Sequence, residues 1–206
     1  MQHVIKNEQQ LRELMGDPVH ELVVVKSSPA LTPPLQHYIR QSPFLCLATH
    51  SDDGAADLSP RGDAPGFVHI PDEKTLIIPE RPGNKRLDSV RNIIEQPYLS
   101  LLFMIPGVLD TVRVNGTGTV TADPDILGLV PVQGKLPQLA IVVTVEEAFG
   151  HCSKAFRRAK LWQDDYLPKA RVPNLAEMMS GHLQLDKDTL EMLEAGIADD
   201  VASNMY

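Results

Sequence analysis

The stretch from Phe44 to Asp63, Phe-Leu-Cys-Leu-Ala-Thr-His-Ser-Asp-Asp-Gly-Ala-Ala-Asp-Leu-Ser-Pro-Arg-Gly-Asp, sets the fold class. Phe44–Thr49 is a compact apolar run of strand length. Ser51-Asp52-Asp53-Gly54 is a hairpin turn with glycine where the backbone needs a positive φ. Ala55–Ser59 is then expected to return antiparallel. The same pattern continues downstream. Gly66–Ile70 and Thr75–Pro79 read as a second hairpin around Pro71-Asp72-Glu73-Lys74. Tyr98–Ile105 and Thr111–Ala122 are strands separated by a turn at Pro106-Gly107, and Gln138–Glu146 is the last long strand. Six or so short, hairpin-linked strands interrupted by helices favour an antiparallel barrel over a parallel βαβ sheet. The expected class is mainly β with peripheral helices, an α+β fold.

The helices follow from capping residues and apolar spacing. Asn7 caps a first helix, Gln10 stands at capping-box spacing, Leu11, Leu14 and Met15 form a stripe, and Gly16 and Pro18 end it. Leu22–Lys26 reads as a short strand or an apolar linker. Pro33–Gln41 has Thr32 as cap and Leu35, Tyr38 and Ile39 as its buried side. Leu87–Glu95 has Leu87, Val90 and Ile94 on one face, and Asp125–Val130 and Cys152–Leu161 are short helices. Pro173–His182 and Lys187–Ser203 form a helical tail with too little apolar surface for a core of its own. The domain reading is a helix and linker over 1–29, a barrel over 30–165 and the tail over 166–206.

Composition narrows the function classes. The 206 residues hold 19 Lys and Arg against 27 Asp and Glu, a net charge of −8, which argues against a nucleic-acid or anionic-membrane partner. No apolar run approaches the ~20 residues of a membrane span. Two cysteines make no disulfide framework, and the opening residues carry no secretory pattern, so a cytoplasmic setting is expected. The 17 prolines are scattered between apolar runs and punctuate a many-stranded fold.

Two segments run against the acidic balance. Arg81-Pro-Gly-Asn-Lys85-Arg86 leads into the helix at Leu87, with Arg91 further on and Asn84 placed to cap. A glycine turn before a helix start, with arginines able to grip oxygens in pairs, suits a phosphate. The spacing is not that of a Walker loop. Lys154, Arg157, Arg158 and Lys160 form the second segment, with no acidic residue from Gly150 to Gln163. Ser59-Pro60-Arg61-Gly62-Asp63 reads as a link between barrel strands, its small residues suited to a flat ligand lying close to the backbone. The Arg-Gly-Asp triplet is not read as an adhesion ligand. Cys46 reads as core and Cys152 as a partly buried helix residue. His50 and His69 read as surface groups. Neither His151-Cys152 nor Asp52-Asp53-Gly54 completes a metal site, and no Ser-His-Asp arrangement stands out.

The succession of residues 44–49, 57–63, 65–68, 78–86 and 112–116 resembles the pyridoxamine 5'-phosphate oxidase-like FMN-binding split barrels, in particular their small bacterial flavoprotein branch. Residues 151–162 fit the closing segment of that branch. The resemblance implies a six-stranded antiparallel split barrel that forms a homodimer with FMN in clefts between subunits. It implies that Arg81, Asn84, Lys85 and Arg86 bind the FMN phosphate, with Ser59 and Arg61 near the flavin or its phosphate tail. Arg113 and Asn115 would line the cleft, and Lys154, Arg158 and Trp162 would approach the ring system. The phosphate-gripping end segment of the vitamin B6 enzyme is not found beyond Trp162. The expected function is an FMN-dependent oxidoreductase of unassigned substrate and no assigned catalytic side chain. The alternatives are a flavin-binding carrier or sensor without turnover, and a related barrel with another cofactor such as a deazaflavin or haem.

Overall fold

Along β1 (Phe44–His50) half-buried and buried side chains alternate, with Leu45 and Leu47 turned fully inward. The computed structural model describes residues 1–18, 20–21, 25–163 and 172–206. The expectation for Leu22–Lys26 falls largely on residues 22–24 and lies outside the described residues. β2 (Ala56–Gly62) pairs antiparallel with β1, Phe44 opposite Gly62 and His50 opposite Ala56. β3 (His69–Asp72), β4 (Thr75–Pro79), β5 (Tyr98–Met104), β6 (Thr111–Thr121) and β7 (Ala140–His151) complete one sheet in the order β2-β1-β5-β6-β7-β4-β3. All its pairings are antiparallel. The α+β split-barrel class stands, with seven strands where six were expected.

The core fills the inner face of this sheet. Leu45, Leu101, Phe103, Val114, Ile141 and Val143 meet there with almost no exposure, joined by Leu76 and Ile78 from β4. Burial of such side chains contributes roughly 1.5–3 kcal/mol each before entropy is counted, so the sheet face is the main source of stability. α2 (Pro33–Gln41) covers one end with Ile39 buried and Leu35 and Tyr38 half-buried against the core, as its spacing predicts. A smaller cluster of Ile77, Leu127, Val130 and Ala140 packs under α4 (Pro124–Leu127).

β2 runs through Ser59-Pro60-Arg61-Gly62, which the sequence placed in a link. Proline cannot donate to a ladder, but β2 is an edge strand, where that loss is tolerated. Cys46, opposite Pro60, is half-buried on the outer face of β1 rather than in the core. Cys152 is exposed ahead of α5 (Lys154–Arg158), a helix shorter than the expected Cys152–Leu161. α3 (Asp88–Glu95) buries Val90 and Ile93, while Ile94 is exposed and Leu87 is its N-cap in a left-handed conformation. α1 (Glu8–Met15) is capped by Asn7 as expected, yet its apolar stripe is exposed. α6 (Leu175–Leu183) and α7 (Lys187–Ser203) form the tail pair. Among the described residues no helix is long and apolar enough to cross a membrane.

β7 runs five residues past Glu146, and a bulge between Asn115 and Gly116 lets β6 follow it. At the bulge the two backbones nearly touch: a Cβ on Gly116 would lie 2.0 Å from the Thr144 carbonyl oxygen. Only glycine permits that approach. Gly116→Ala is therefore expected to lower stability by about 3 kcal/mol or to prevent folding. Urea denaturation measures this; an unchanged midpoint would contradict the strand contact.

Candidate functional site

The inner face of β2 carries Ser59 and Arg61, which stand opposite Leu47 and Leu45. Where β2 ends, the chain comes up against the end of β4, and four side chains join the two ends. Arg61 is ion-paired to Glu80, each about 15% exposed. Arg81 Nε donates to Asp63 Oδ2 at 2.6 Å, and its Nη1 donates to the Val130 carbonyl at 3.1 Å. Burial pushes the Asp63 carboxyl up, but hydrogen bonds from the Ala64 amide, the Tyr206 hydroxyl and Arg81, with the charge of Arg81, carry it below its ordinary value. Arg61 Nε is buried with no hydrogen-bond partner.

The turn from Arg81 leads into α3. The Asn84 side chain accepts from the Arg86 amide at 3.0 Å, so it shapes the turn instead of capping the helix. Arg86 and Arg91 both pair with Asp88, and the hydrogen bond from Arg86 holds that carboxyl below the ordinary range. Leu87 offers no side-chain cap, so the first amides of α3 have no side-chain partner. Lys85, at φ 57°, is exposed and makes no ion pair among the described residues. α3 itself is fixed by a polar network the sequence did not reveal. Ser89 Oγ donates to Asp57 Oδ2 at 2.9 Å, and Asn92 Nδ2 donates to Thr49 Oγ1 at 3.0 Å. These links tie the helix to β1 and β2 and so position the turn before it.

Arg81 and Arg86, expected to grip a phosphate, are each held by a carboxylate of the same chain. The corner still has five cations, Arg61, Arg81, Lys85, Arg86 and Arg91, against four carboxylates, Asp57, Asp63, Glu80 and Asp88. Among the described residues, its donors without partners include Lys85 Nζ, Arg61 Nε and the start of α3. That donor set fits a phosphate, which asks for charge-assisted hydrogen bonds and a helix N-terminus. A cavity of about 470 Å³ opens here, lined by Gly62, Asp63, Arg81 and Gly83 and by Asp200, Asn204 and Tyr206 of the tail.

The remaining expected site residues lie elsewhere. Pro60, Cys46, Leu102, Arg113 and Phe149 stand opposite one another in turn across β2, β1, β5, β6 and β7. Asn115 belongs to the next row of that same outer face. Ser59 and Arg61 face the other way. On the outer face Asn115 Nδ2 donates to Glu147 Oε2 at 2.6 Å, and Arg113 Nε and Ser100 Oγ both donate to Asn115 Oδ1. Lys26 sits 4.7 Å and Arg113 5.7 Å from the centre of the Phe149 ring. Burial, with these two cations, pushes the neighbouring His151 down. Trp162 Nε1 donates to the Val108 carbonyl at 3.2 Å, and its ring lies near Phe156. Lys154 and Arg158 are exposed on α5 without an ion pair among the described residues. One chain thus brings Ser59, Arg61, Arg81, Asn84, Lys85 and Arg86 to one corner and leaves Arg113, Asn115, Lys154, Arg158 and Trp162 apart from it.

Residues 31–152 match the family model described as Pyridoxamine 5'-phosphate oxidase, a span from the start of α2 through β7. No curated protein matches the sequence. Among solved structures the chain is similar to HupZ of Group A Streptococcus, at 18% identity over 58% of this chain and 92% of that one, with a TM-score of 0.48. It is similar to a pyridoxamine 5'-phosphate oxidase candidate of Lactobacillus delbrueckii, at 22% identity over 59% and 95% of the two chains, with a TM-score of 0.47. It is also similar to an FMN-binding protein of Syntrophomonas wolfei, at 9% identity over 57% and 88%, with a TM-score of 0.42.

Arg81→Ala leaves the nearly buried Asp63 carboxylate without its cation. The substitution is expected to cost about 3 kcal/mol at neutral pH. Because the folded Asp63 titrates below its ordinary value of 3.8, its contribution is complete above that value and is lost as pH falls through the folded one. The variant's stability is therefore expected to change less on acidification than that of the native chain. Parallel denaturation curves across the acid range check this; an equal loss in both would contradict it.

Proposed function

The chain belongs to the pyridoxamine 5'-phosphate oxidase family, and we propose that it binds FMN as a cytoplasmic homodimer and acts as an FMN-dependent oxidoreductase. The observation that carries this reading is the corner after β2. There, among the described residues, Arg61 Nε is buried without a partner, and the chain runs on from Arg81 through an unpaired lysine to a helix start with no side-chain cap, in a chain that is acidic overall.

Lys85 and the first amides of α3 would hold the phosphate, with Arg61 Nε as a further donor. Arg81, Arg86 and Asn84 keep the turn in shape and add positive potential behind it. Ser59 borders the same corner. The FMN-binding unit is assigned to residues 30–165, with 1–29 and 166–206 as appendages.

Bound FMN supplies transfer of electrons to and from a small-molecule partner. Arg113 and Lys154 offer cations that would stabilise the negative charge a reduced flavin gains. Asn115, Arg158 and Trp162 would wall the ring. Since Arg113 and Asn115 face away from Ser59 and Arg61, a second copy presenting its outer face to the corner would complete the site. The family and the split of the site residues between two faces both support the dimer.

Purified protein is expected to be yellow, or to quench FMN fluorescence on titration. Lys85→Ala is expected to weaken FMN about tenfold, the scale of a charged hydrogen bond, with no loss of stability because the side chain is exposed and unpartnered. A colourless protein that does not quench FMN would contradict the proposal. Reduction of the bound flavin by NADH or NADPH supports turnover, and binding without reduction by either donor supports the carrier alternative.

A further inference from the structure

The segment that ends α7 lies over the corner. Tyr206 donates its hydroxyl to Asp63 Oδ1 at 2.9 Å, on the same carboxylate that receives Arg81. Lys135 Nζ donates to the Tyr206 main-chain oxygen at 3.3 Å, so this one residue is held from two sides. Asp200, Val201, Asn204 and Met205 form the tail side of the 470 Å³ cavity, facing Arg81, Pro82 and Gly83. Asn204 Nδ2 donates to Asp200 Oδ1 at 2.8 Å, which keeps that carboxylate at the cavity wall.

The attachment is slight compared with the rest of the fold. α7 has no buried residue, and α6 and α7 pack mainly against each other. A segment held by few polar bonds and little apolar burial opens at low cost. It also brings a carboxylate to a corner whose surplus charge is positive. A ligand phosphate entering beside Arg81, Pro82 and Gly83 would therefore meet both the bulk of the strap and the negative charge of Asp200.

We infer that residues 200–206 are an autoinhibitory strap across the phosphate corner, latched by Tyr206 on Asp63 and released when an anion occupies the corner. This rests on the proposed FMN site and adds its regulation. Removing the latch leaves the anion donors intact and favours the open arrangement. Tyr206→Phe keeps the ring and loses only the hydroxyl, so folding is not at risk. Asp200→Asn removes the charge without changing the shape.

The test titrates FMN into the full-length native chain and both variants, and follows amide exchange at residues 200–206 with FMN or inorganic phosphate added. Tyr206→Phe is expected to bind FMN about fivefold tighter, as loss of one competing hydrogen bond implies. Asp200→Asn should shift in the same direction. Exchange at 204–206 should speed up in the native chain when FMN is added. Equal or weaker binding by Tyr206→Phe overturns the strap and leaves the FMN reading standing. If no chain binds FMN, the proposed function fails and exchange alone decides. Acceleration by phosphate then supports the strap, and unchanged exchange overturns it.

Discussion

Between β2 and β4 the sheet has no backbone ladder, and the two strand ends are joined instead by Arg61 with Glu80 and Arg81 with Asp63. Charges this well covered are costly unless their remaining valences are filled. Here the Ala64 amide, the Val130 carbonyl and the Tyr206 hydroxyl fill most of them. The turn from Arg81 to Leu87, with its exposed lysine, runs from that clasp to α3, which its bonds to Asp57 and Thr49 hold in place. The cavity lies beside the clasp. Loosening the clasp would leave a charged loop on the surface with no fixed geometry for a ligand.

The clasp also changes how the basic segments are read. The segment from Arg81 to Arg91 looks like free positive charge in sequence, yet its arginines are partnered, and Lys85 has no partner among the described residues. The segment from Lys154 to Lys160 has no carboxylate partner among the described residues. Positive charge built into the frame of a site fixes its potential, whereas an unpartnered side chain is free to meet a ligand directly. The two faces of the sheet divide the work in the same way. Ser59 and Arg61 look toward the corner, and Arg113 and Asn115 look outward, a division that the proposed dimer would bring together.

Much of this architecture was legible in the sequence because it is local. The apolar run from Phe44, the Asp-Gly turn and the spacing of α2 each depend on neighbours within a few residues, and each appears where expected. α7 matches Lys187–Ser203 residue for residue. The strand through Pro60 was hidden because only the sheet order shows that β2 is an edge. The length of β7 was hidden by the bulge opposite it, which breaks the alternation. The buried face of α3 shifted to Val90 and Ile93 because Leu87 sits outside the helix as its cap. The partners of Arg61 and Arg81 lie 19 and 18 residues away in the chain, so local charge counting could not pair them. Tyr206, 143 residues from Asp63, left no trace at all.

The central claim is that this clasped corner receives a phosphate. A crystal structure of the full-length protein grown with FMN tests it most directly. The account predicts phosphate density within hydrogen-bond distance of the first amides of α3 and of Lys85 Nζ, with Arg81 still on Asp63. Flavin bound with its phosphate elsewhere, or a corner unchanged beside bound FMN, would contradict it.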